Sequence, residues 1–238
     1  MQIDLTGKRA IVTGASRGLG AAIVARMREA GAEVWVPTRS YDLRDLMDIG
    51  DLITACIEVL RPYNVLVNCA AVQGPVGKIH KVSLSDWADC LRVNLEAPAL
   101  LCAAAVGWMV ETKTAGSIIN ISGGGACNPR PGYSAYATSK AGLVRFSETI
   151  AEECREYGIR VNCVAPGTLG DMGGPADRVR LPTRENEKHA ADCVCWLASD
   201  ASRPITGKLI SAVHDPWPEL ERNLAKSPDM YTLRRVTP

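Results

Sequence analysis

The sequence predicts a single α/β domain in which a doubly wound parallel sheet carries helices on both faces. Three observations support this prediction. Short β-branched runs alternate with longer helical patterns along most of the chain, as in βαβ units. A glycine-rich turn joins the first such run to the first helical pattern. The length of 238 residues suits one α/β domain, since such domains reach roughly 200–250 residues. We expect the domain to cover 1–214 and a C-terminal tail to cover 215–238.

Six strands are expected, each a short apolar run between turn residues. They are Arg9–Thr13, Glu33–Val36, Val65–Asn68, Ser117–Ser122, Arg160–Val164 and Lys208–Ala212. Only Pro37–Tyr41 separate the second strand from Asp42, where many dinucleotide-binding folds have a further helix and strand. The sequence therefore predicts a lost crossover or a merged strand after the second strand.

The sequence predicts two long helices in the middle of the chain. The apolar run Ala97–Val110 falls short of the roughly 20 residues that a membrane span needs, so it is interpreted as a buried helix. A second helix is predicted from about Ser134 to Tyr157, with Gly158 placed to end it. The tail is harder to interpret, because its prolines and mixed charges make a packed helix only partly plausible.

Charge and cysteine content exclude several function classes. The 27 Lys and Arg nearly balance the 26 Asp and Glu, which argues against a nucleic-acid partner. The nine cysteines include no C-x-x-C pair, so reduced thiols are expected rather than a metal site or a disulfide scaffold. The first ten residues show no signal or transit peptide pattern. We expect a cytoplasmic protein with no metal, nucleic-acid or membrane partner.

The first strand–helix junction has the pattern of a phosphate-binding loop. Gly14 is suited to the tight turn, Gly18 to close approach of a pyrophosphate, and Gly20 to close helix packing. A turn that merely needs glycine is the alternative interpretation. The cofactor contacts expected from this loop are Gly14, Ser16, Arg17, Gly18, Leu19 and Gly20.

The end of the second strand decides which dinucleotide is favoured. An acidic residue there would bind the ribose hydroxyls of NAD, but the chain has Arg39 between a threonine and a serine. Arg39, aided by Arg17, is suited to the 2′-phosphate of NADP. Asp42 is the alternative, since it could turn onto the ribose, and Leu43 beside it is a further expected contact. NADP(H) is therefore favoured over NAD(H).

A tyrosine and a lysine lie four residues apart on the predicted 134–157 helix. Tyr136 and Lys140 share one helix face. A phenol titrates near pH ~10 and becomes a useful acid–base group when a neighbouring ammonium stabilises its anion. Lys140 is placed to supply that charge.

Taken in order along the chain, these motifs resemble the short-chain dehydrogenase/reductase family from about Thr6 to Ala212. The motifs are TGASRGLG, Asn68-Cys69-Ala70-Ala71, Asn94, Ile121-Ser122, YATSK and Ala165-Pro166-Gly167. The resemblance implies a single Rossmann-type domain that uses NAD or NADP to interconvert a carbonyl and a secondary alcohol. It also implies a homodimer or homotetramer built through the helices that bear Asn94 and Tyr136.

The resemblance implies a role for each matching residue. Tyr136 is the expected general acid/base, Lys140 lowers its pKa and holds the nicotinamide ribose, Ser122 hydrogen-bonds the substrate oxygen, and Asn94 anchors a relay water. Further cofactor contacts are implied at Asn68, Ala70, Pro166 and Gly167.

The chain departs from the family at several points, and one of them is Asn68-Cys69-Ala70-Ala71 in place of the usual Asn-Asn-Ala-Gly. The family serine often lies thirteen residues before the tyrosine, but Gly123 has that position and Ser122 precedes it. Ser122 is the expected serine, with Ser134 or Ser139 as alternatives. The threonine that commonly contacts the nicotinamide amide is replaced by Gly170 and Asp171.

The expected substrate lid at 169–182 is short and rich in glycine and charge. Its Arg178 and Arg180 either meet an anionic group or are solvated. The glycine run after Ser122 and the LISAV sequence near 211 resemble a branch of the family associated with sugars and nucleotide-sugars. Two other functions stay open: a cofactor-retaining sugar epimerase or dehydratase, and a catalytically weak nucleotide-binding regulatory or scaffold protein.

Overall fold

A computed structural model describes residues 2–37, 41–59, 62–169 and 183–233, built around a six-stranded parallel sheet. The strands are β1 (Arg9–Val12), β2 (Glu33–Trp35), β3 (Val65–Asn68), β4 (Gly116–Ile121), β5 (Ile159–Ala165) and β6 (Leu209–Ser211). All six lie where the sequence predicts them, and no strand end differs from its predicted position by more than one residue. The predicted α/β class with a doubly wound parallel sheet is confirmed.

The strand order is β2-β1-β3-β4-β5-β6, which places the first strand between the second and the third. Ala10 of β1 pairs with Val34 on one side and with Val65 on the other. The chain therefore winds in opposite directions from β1, and a crevice opens outside the carboxyl ends of β1 and β3. Ligands of open α/β sheets bind at such a point.

Within the described ranges, seven α-helices connect or flank the strands. They are α1 (Gly18–Glu29), α2 (Leu46–Val59), α3 (Leu84–Leu91), α4 (Ala97–Glu111), α5 (Ser134–Glu153), α6 (Thr183–Ala198) and α7 (Leu220–Lys226). The predicted 134–157 helix is α5 followed by a 3₁₀ turn at Arg155–Tyr157, and Gly158 ends it in the left-handed region at φ +69°. Glycine adopts that conformation at no steric cost.

The sheet separates two apolar layers. Residues of β1 alternate between them: Ala10 and Val12 face α1 and α6, whereas Ile11 faces α2 and α4. This alternation follows from the two-residue period of a strand. The largest buried side chains lie in both layers, with Ile23 and Met27 on one side and Met109 on the other.

The crossover after β2 is missing among the described residues. The chain passes from β2 to α2 with no intervening helix or strand in 41–45, and β2 pairs only with β1. Arg28 Nη2 donates a hydrogen bond to the Val34 carbonyl oxygen of this edge strand at 3.1 Å. The predicted shortening is therefore present, and it leaves the turn at 41–45 beside the crevice.

The apolar run at 97–110 belongs to a longer helical stretch than the sequence suggests. Residues Leu84–Glu111 form one continuous helical segment, with a π-helical turn at Arg92–Glu96 between α3 and α4. Its length and composition would allow it to cross a membrane, a test that core helices of soluble proteins also pass. Leu101, Cys102 and Ala105 of α4 are buried in the core beneath the sheet.

The described part of the tail packs on the sheet and on α5. Leu220 of α7 is fully buried. The Leu209 amide donates to the Tyr231 carbonyl oxygen at 2.7 Å, and the Leu233 amide donates to Glu148 Oε1 at 2.7 Å. A packed helix, which the sequence indicated only weakly, is therefore present in this segment.

Candidate active site

A glycine cradle lies at the junction of β1 and α1. Gly14 has φ +67°, and a Cβ built on it would lie 2.5 Å from the Cα of Ala70. A Cβ on Gly20 would lie 2.3 Å from the Gly14 carbonyl oxygen. Neither position admits a side chain, so the backbone turns tightly and the helix begins directly against it, as the sequence predicts.

The N-terminus of α1 has no partner from its own side chains. Arg17 is the N-cap residue, no side chain caps the helix, and the first turn contains no acidic residue. The first amide groups of a helix lack intrahelical acceptors and carry partial positive charge. Together with the glycines, this end of α1 suits a pyrophosphate.

Thr13 fixes the loop that faces the cradle, a role the sequence analysis missed. Its Oγ1 accepts hydrogen bonds from the amides of Cys69 at 3.1 Å and Ala70 at 3.3 Å. The hydroxyl therefore joins the end of β1 to the segment after β3. A threonine directly before the first glycine was the available signal.

One cleft of about 1160 Å³ runs from the cradle to the start of α5. It is lined by most of the residues predicted from the sequence. These are Gly14, Ser16, Arg17, Gly18, Leu19, Gly20, Asp42, Leu43, Ala70, Ser122, Tyr136, Lys140, Pro166 and Gly167.

At the far end of the cleft, Asp42 and Arg44 form an ion pair. Arg44 Nη2 lies 2.6 Å from Asp42 Oδ2, and Arg44 Nε lies 2.9 Å from Asp42 Oδ1. Hydrogen bonds from Arg44 lower the pKa of the Asp42 carboxyl to about 2. Asp42 thus lines the cleft as a carboxylate that is already paired with Arg44. Arg39 lies outside the described residues.

Tyr136 lies in the first turn of α5, with its ring buried beside the cleft. Burial raises the pKa of its phenol above the usual value, while the nearby Arg130 guanidinium lowers it in part. The phenol is therefore protonated at neutral pH and lines the cleft as a hydrogen-bond donor.

Lys140 lies one turn further along α5 and is fully enclosed. Its Nζ donates a hydrogen bond to the Ile121 carbonyl oxygen at 2.8 Å and lies 5.8 Å from the centre of the Tyr136 ring. Burial lowers the pKa of Lys140 to about 8. The structure brings Tyr136 and Lys140 together as predicted and anchors the lysine to the end of β4.

Ser122 and Gly123 have different surroundings. The Ser122 hydroxyl oxygen is buried and has no hydrogen-bond partner. Gly123 faces the phenol instead, because a Cβ built on it would lie 2.7 Å from Tyr136 Oη. Ser122 thus lines the cleft with an unpartnered hydroxyl, whereas the thirteen-residue position beside the phenol carries no side chain.

The two alternative serines are also engaged elsewhere. Ser134 Oγ accepts a hydrogen bond from Trp87 Nε1 at 3.2 Å. Ser139 Oγ donates to the Tyr136 carbonyl oxygen at 2.8 Å and is fully buried. Neither lines the cleft.

Asn94 lies in the π-helical turn and is fully buried. Its side chain pairs with both backbone groups of Val72: Nδ2 donates to the carbonyl oxygen at 2.7 Å, and Oδ1 accepts from the amide at 2.9 Å. Nδ2 also lies 3.2 Å from Ser139 Oγ. The side chain thus ties the loop after β3 to α5, the helix that bears Tyr136.

Asn68 requires a correction, since it does not line the cleft. Its side chain is buried inside the sheet layer, where Nδ2 donates to Asn120 Oδ1 at 2.9 Å. Asn68 and Asn120 are paired residues on β3 and β4, so their side chains meet on the same face. Its observed contacts are in the core rather than with a ligand site.

Arg130 is a cleft residue that the sequence analysis did not identify. Its guanidinium carbon lies 4.2 Å from the ring centre of Tyr133 and 5.6 Å from that of Tyr136. No motif marks an arginine in this loop. The expected lid contacts at Gly170, Asp171, Arg178 and Arg180 lie outside the described residues.

The cysteines and the potential metal ligands form no further site among the described residues. All nine cysteines are free. Burial raises the pKa of Cys69 and Cys163, near Lys140, to about 12, so both thiols are neutral. Among the described residues, no group of three metal-ligating side chains comes together.

Comparison with known proteins agrees with this geometry. Residues 37–172 match the family model for the short chain dehydrogenase. Glucose 1-dehydrogenase 2 of Bacillus subtilis is 29% identical, covering 87% of this chain and 93% of that protein. The 3-oxoacyl-(acyl-carrier-protein) reductase FabG of Chlamydia trachomatis is 31% identical, covering 87% of this chain and 96% of that protein.

A solved structure from Beutenbergia cavernae is also similar. It has a TM-score of 0.80 and 25% identity, and the match covers 89% of this chain and 97% of that one. That protein is assigned as an NAD(P)-dependent gluconate 5-dehydrogenase and contains NADP at low occupancy.

Proposed function

The chain belongs to the short-chain dehydrogenase/reductase family of Rossmann-fold oxidoreductases, and we propose that it interconverts a carbonyl and a secondary alcohol with Tyr136 as general acid/base. One observation carries the proposal. Tyr136 and the enclosed Lys140 line the same cleft as a glycine cradle that faces a helix N-terminus. A protein that only bound nucleotide would have no need of the tyrosine–lysine pair.

The described residues fit a dinucleotide. The cradle around Gly14 leaves no room for a Cβ, and the uncapped end of α1 offers amide donors to the pyrophosphate. When bound, a nicotinamide cofactor supplies or accepts the hydride. Ser16, Gly18 and Leu19 would hold the phosphates, and Ala70, Pro166 and Gly167 would enclose the rest of the molecule.

Tyr136 would handle the proton. Because burial keeps its phenol protonated, the residue would donate its proton to the oxygen of a bound carbonyl as the alcohol forms. In the reverse direction the phenolate would accept that proton. Lys140 would support this exchange from one turn away and contact the ribose, and its lowered pKa makes it able to take up or release a proton near pH 8.

Asn94 would act by holding the site together and by anchoring a relay water. Its side chain joins the loop after β3 to Ser139 of α5, so it fixes the helix that carries Tyr136. The π-helical turn that contains it is a feature often found at functional sites.

NADP(H) is our proposed cofactor, with NAD(H) as the alternative. Arg17 lines the cleft beside the cradle and is exposed. Arg44, which the sequence analysis did not consider, lines the adenosine end and is held by Asp42. With Arg39 from the sequence, these guanidinium groups would favour a 2′-phosphate.

The substrate we propose is polar, a sugar or nucleotide-sugar being the class to test first. Asp86, Asn128, Glu187 and His214 line the same cleft and offer hydrogen-bond partners for hydroxyl groups. The relatives from Bacillus subtilis and Beutenbergia cavernae carry sugar-dehydrogenase names. Substrates of the chain would be small molecules, and a homodimer or homotetramer is the expected assembly.

A catalytically weak nucleotide-binding protein is a second candidate, favoured by one observation. No serine among the described residues hydrogen-bonds Tyr136 Oη, since the Ser122 hydroxyl has no partner and Gly123 is the residue beside the phenol. A sugar epimerase or dehydratase that retains its cofactor would keep the same residues but show no net cofactor turnover.

The first experiment is a fluorescence titration with NADPH and NADH, followed by turnover assays on a panel of sugar, nucleotide-sugar and simple ketones. Tighter binding of NADPH, with turnover that Tyr136→Phe abolishes, supports the proposal. Binding without turnover, unchanged in Tyr136→Phe, would move the assignment to the second candidate. Product analysis without net cofactor oxidation would identify an epimerase or dehydratase.

A further inference from the structure

Two cationic side chains lie near the Tyr136 ring, Lys140 and Arg130. Lys140 donates its ammonium to the Ile121 carbonyl oxygen at 2.8 Å, and its pKa is lowered to about 8. Above that pH the lysine is increasingly neutral. Its support therefore weakens in the range where a phenol begins to ionise.

The other group usually expected beside the phenol is also absent. Gly123 offers no hydroxyl at the position nearest Tyr136 Oη, and the Ser122 hydroxyl is buried without a partner. A hydrogen bond from a serine to the phenol oxygen is thus missing among the described residues.

Arg130 lines the cleft and lies near the same ring. Its guanidinium carbon is 5.6 Å from the centre of the Tyr136 ring, and it stacks on Tyr133 at 4.2 Å. Arginine stays charged at every pH at which the protein is folded. A cation over an aromatic ring is favourable, and it becomes more so when the ring carries a negative charge.

The loop that carries Arg130 is held by the fold. The Tyr133 amide donates to the Arg130 carbonyl oxygen at 3.1 Å, and the Gly77 amide donates to the Gly132 carbonyl oxygen at 2.8 Å. Tyr133 is the N-cap residue of α5 and is buried. The stacking partner of Arg130 is therefore fixed relative to Tyr136, three residues further on.

Besides Arg130 and Lys140, the titratable side chains that line the cleft around Tyr136 are Asp86, Asp89 and Cys90 of α3, with Glu187 of α6 and His214 after β6. Cys90 from α3 is the one whose charge would raise the pKa of Tyr136, and burial keeps that thiol neutral. Lys140 approaches from α5, and Arg130 from the loop before it. Arg130 is the group whose charge lowers the pKa of the phenol.

We propose that Arg130 is a positioning residue for proton transfer at Tyr136, its guanidinium stabilising the phenolate in place of a serine hydroxyl. The catalytic relevance of this step rests on the proposed function. The effect on the ionisation of Tyr136 does not, because it can be measured without a substrate.

The test is a spectrophotometric titration of tyrosinate in the purified protein, first without cofactor and then with NADP⁺. Each variant is measured against its own Tyr136→Phe counterpart, so that the difference isolates Tyr136 among the six tyrosines. Arg130→Gln is compared with Arg130→Lys, which keeps the charge but not the planar stack. Arg155→Gln is the matched control, because it removes an exposed arginine after the far end of α5.

We expect the Tyr136 midpoint to rise by about one pH unit in Arg130→Gln, which is a tenfold change in the ionisation constant. Arg130→Lys should recover part of that shift, and Arg155→Gln should show none. With an active substrate, the rising limb of alcohol oxidation should move by the same amount in Arg130→Gln.

An unchanged midpoint in Arg130→Gln, with NADP⁺ binding and circular dichroism intact, would overturn the inference while leaving the proposed function standing. If Arg130→Gln fails to fold, Arg130→Met decides, because it also removes the charge but keeps an apolar side chain against Tyr133: a Tyr136 midpoint equal to that of wild type would contradict an electrostatic role. Loss of turnover in Tyr136→Phe tests the proposed function separately.

Discussion

The hydroxyl of Tyr136 lies against the α-carbon of Gly123, so close that a Cβ there would be 2.7 Å from Oη. The glycine is therefore a requirement for the observed position of the phenol rather than a neutral replacement for serine. This contact and the hydrogen bond from Lys140 to Ile121 together fix the position of the tyrosine relative to the end of β4.

A side chain at Gly123 should impair the site. Gly123→Ala and Gly123→Ser would force the Tyr136 ring to move, because its oxygen is at the end of a rigid ring. We expect turnover to fall by on the order of 10²-fold, since a displacement of about 1 Å at a reacting group has that effect. Steady-state kinetics and NADPH titration measure this, and cofactor binding should stay within a few fold. A Gly123→Ser variant as fast as wild type would show that the phenol has another productive position.

The neighbouring serine should be dispensable. Ser122 Oγ is buried without a partner, so Ser122→Ala removes an unsatisfied polar group without breaking a hydrogen bond. We expect turnover within about twofold of wild type and unfolding free energy unchanged or higher by up to about 1 kcal/mol. Urea denaturation and the same turnover assay check both. A large loss of activity in Ser122→Ala would restore the serine to the catalytic group.

The glycine cradle should tolerate no methyl group. In Gly14→Ala the added Cβ meets the backbone of Ala70 at 2.5 Å, and the residue must also hold φ +67°. We expect a destabilisation of about 1–3 kcal/mol and a weakening of NADPH binding by more than tenfold. Gly50→Ala on α2, where a Cβ meets open space, is the matched control and should bind normally. Equal binding by both variants would contradict the placement of the pyrophosphate.

Because the pKa of Lys140 is lowered in the folded protein, the free energy of unfolding should depend on pH. Its pKa is about 8 in the folded protein and 10.5 as an unperturbed side chain, so the unfolded chain binds more protons between these values. The contribution of Lys140 to stability therefore rises as pH increases from about 8 to 10.5. The free energy of unfolding of Lys140→Met, relative to that of wild type, should be higher at pH 7 than at pH 10 by on the order of 1–3 kcal/mol. Denaturation of both proteins at the two pH values tests this; a difference that does not vary with pH would mean that the lysine is not desolvated.

Much of the fold follows from local sequence patterns. The apolar runs at Val65–Asn68 and Gly116–Ile121 are strands because short β-branched segments between turn residues have few other ways to bury both faces. The missing crossover after β2 could also be predicted from the sequence, since too few residues separate Trp35 from Leu46 to form a helix and a strand. The full length of the helical segment 84–111 could not be predicted, because Pro98 is typical of a helix start whereas a π-helical turn continues α3 directly into α4.

The site was less predictable because it depends on which way single side chains point. Successive residues of an extended chain face opposite sides, so a shift of one position exchanges Ser122 for Gly123 beside the phenol. Asn68 lies on β3 with its side chain paired to Asn120 in the core, not in the cleft. Arg130 lies in a loop, where spacing carries no information about the ring it will contact.

The proposed interconversion of a carbonyl and an alcohol requires a hydride to pass between cofactor and substrate while Tyr136 transfers the proton. Following that hydride tests the proposal most directly. NADPH labelled with deuterium on either face of the nicotinamide is mixed with the best ketone of the panel, and the product is analysed by mass spectrometry. We expect label from one face to appear in the alcohol, and we expect Tyr136→Phe to slow its appearance by on the order of 10²–10⁴-fold while binding NADPH normally. Label transfer at equal rates in both proteins, or a reduced product that carries no label from either face, would contradict it.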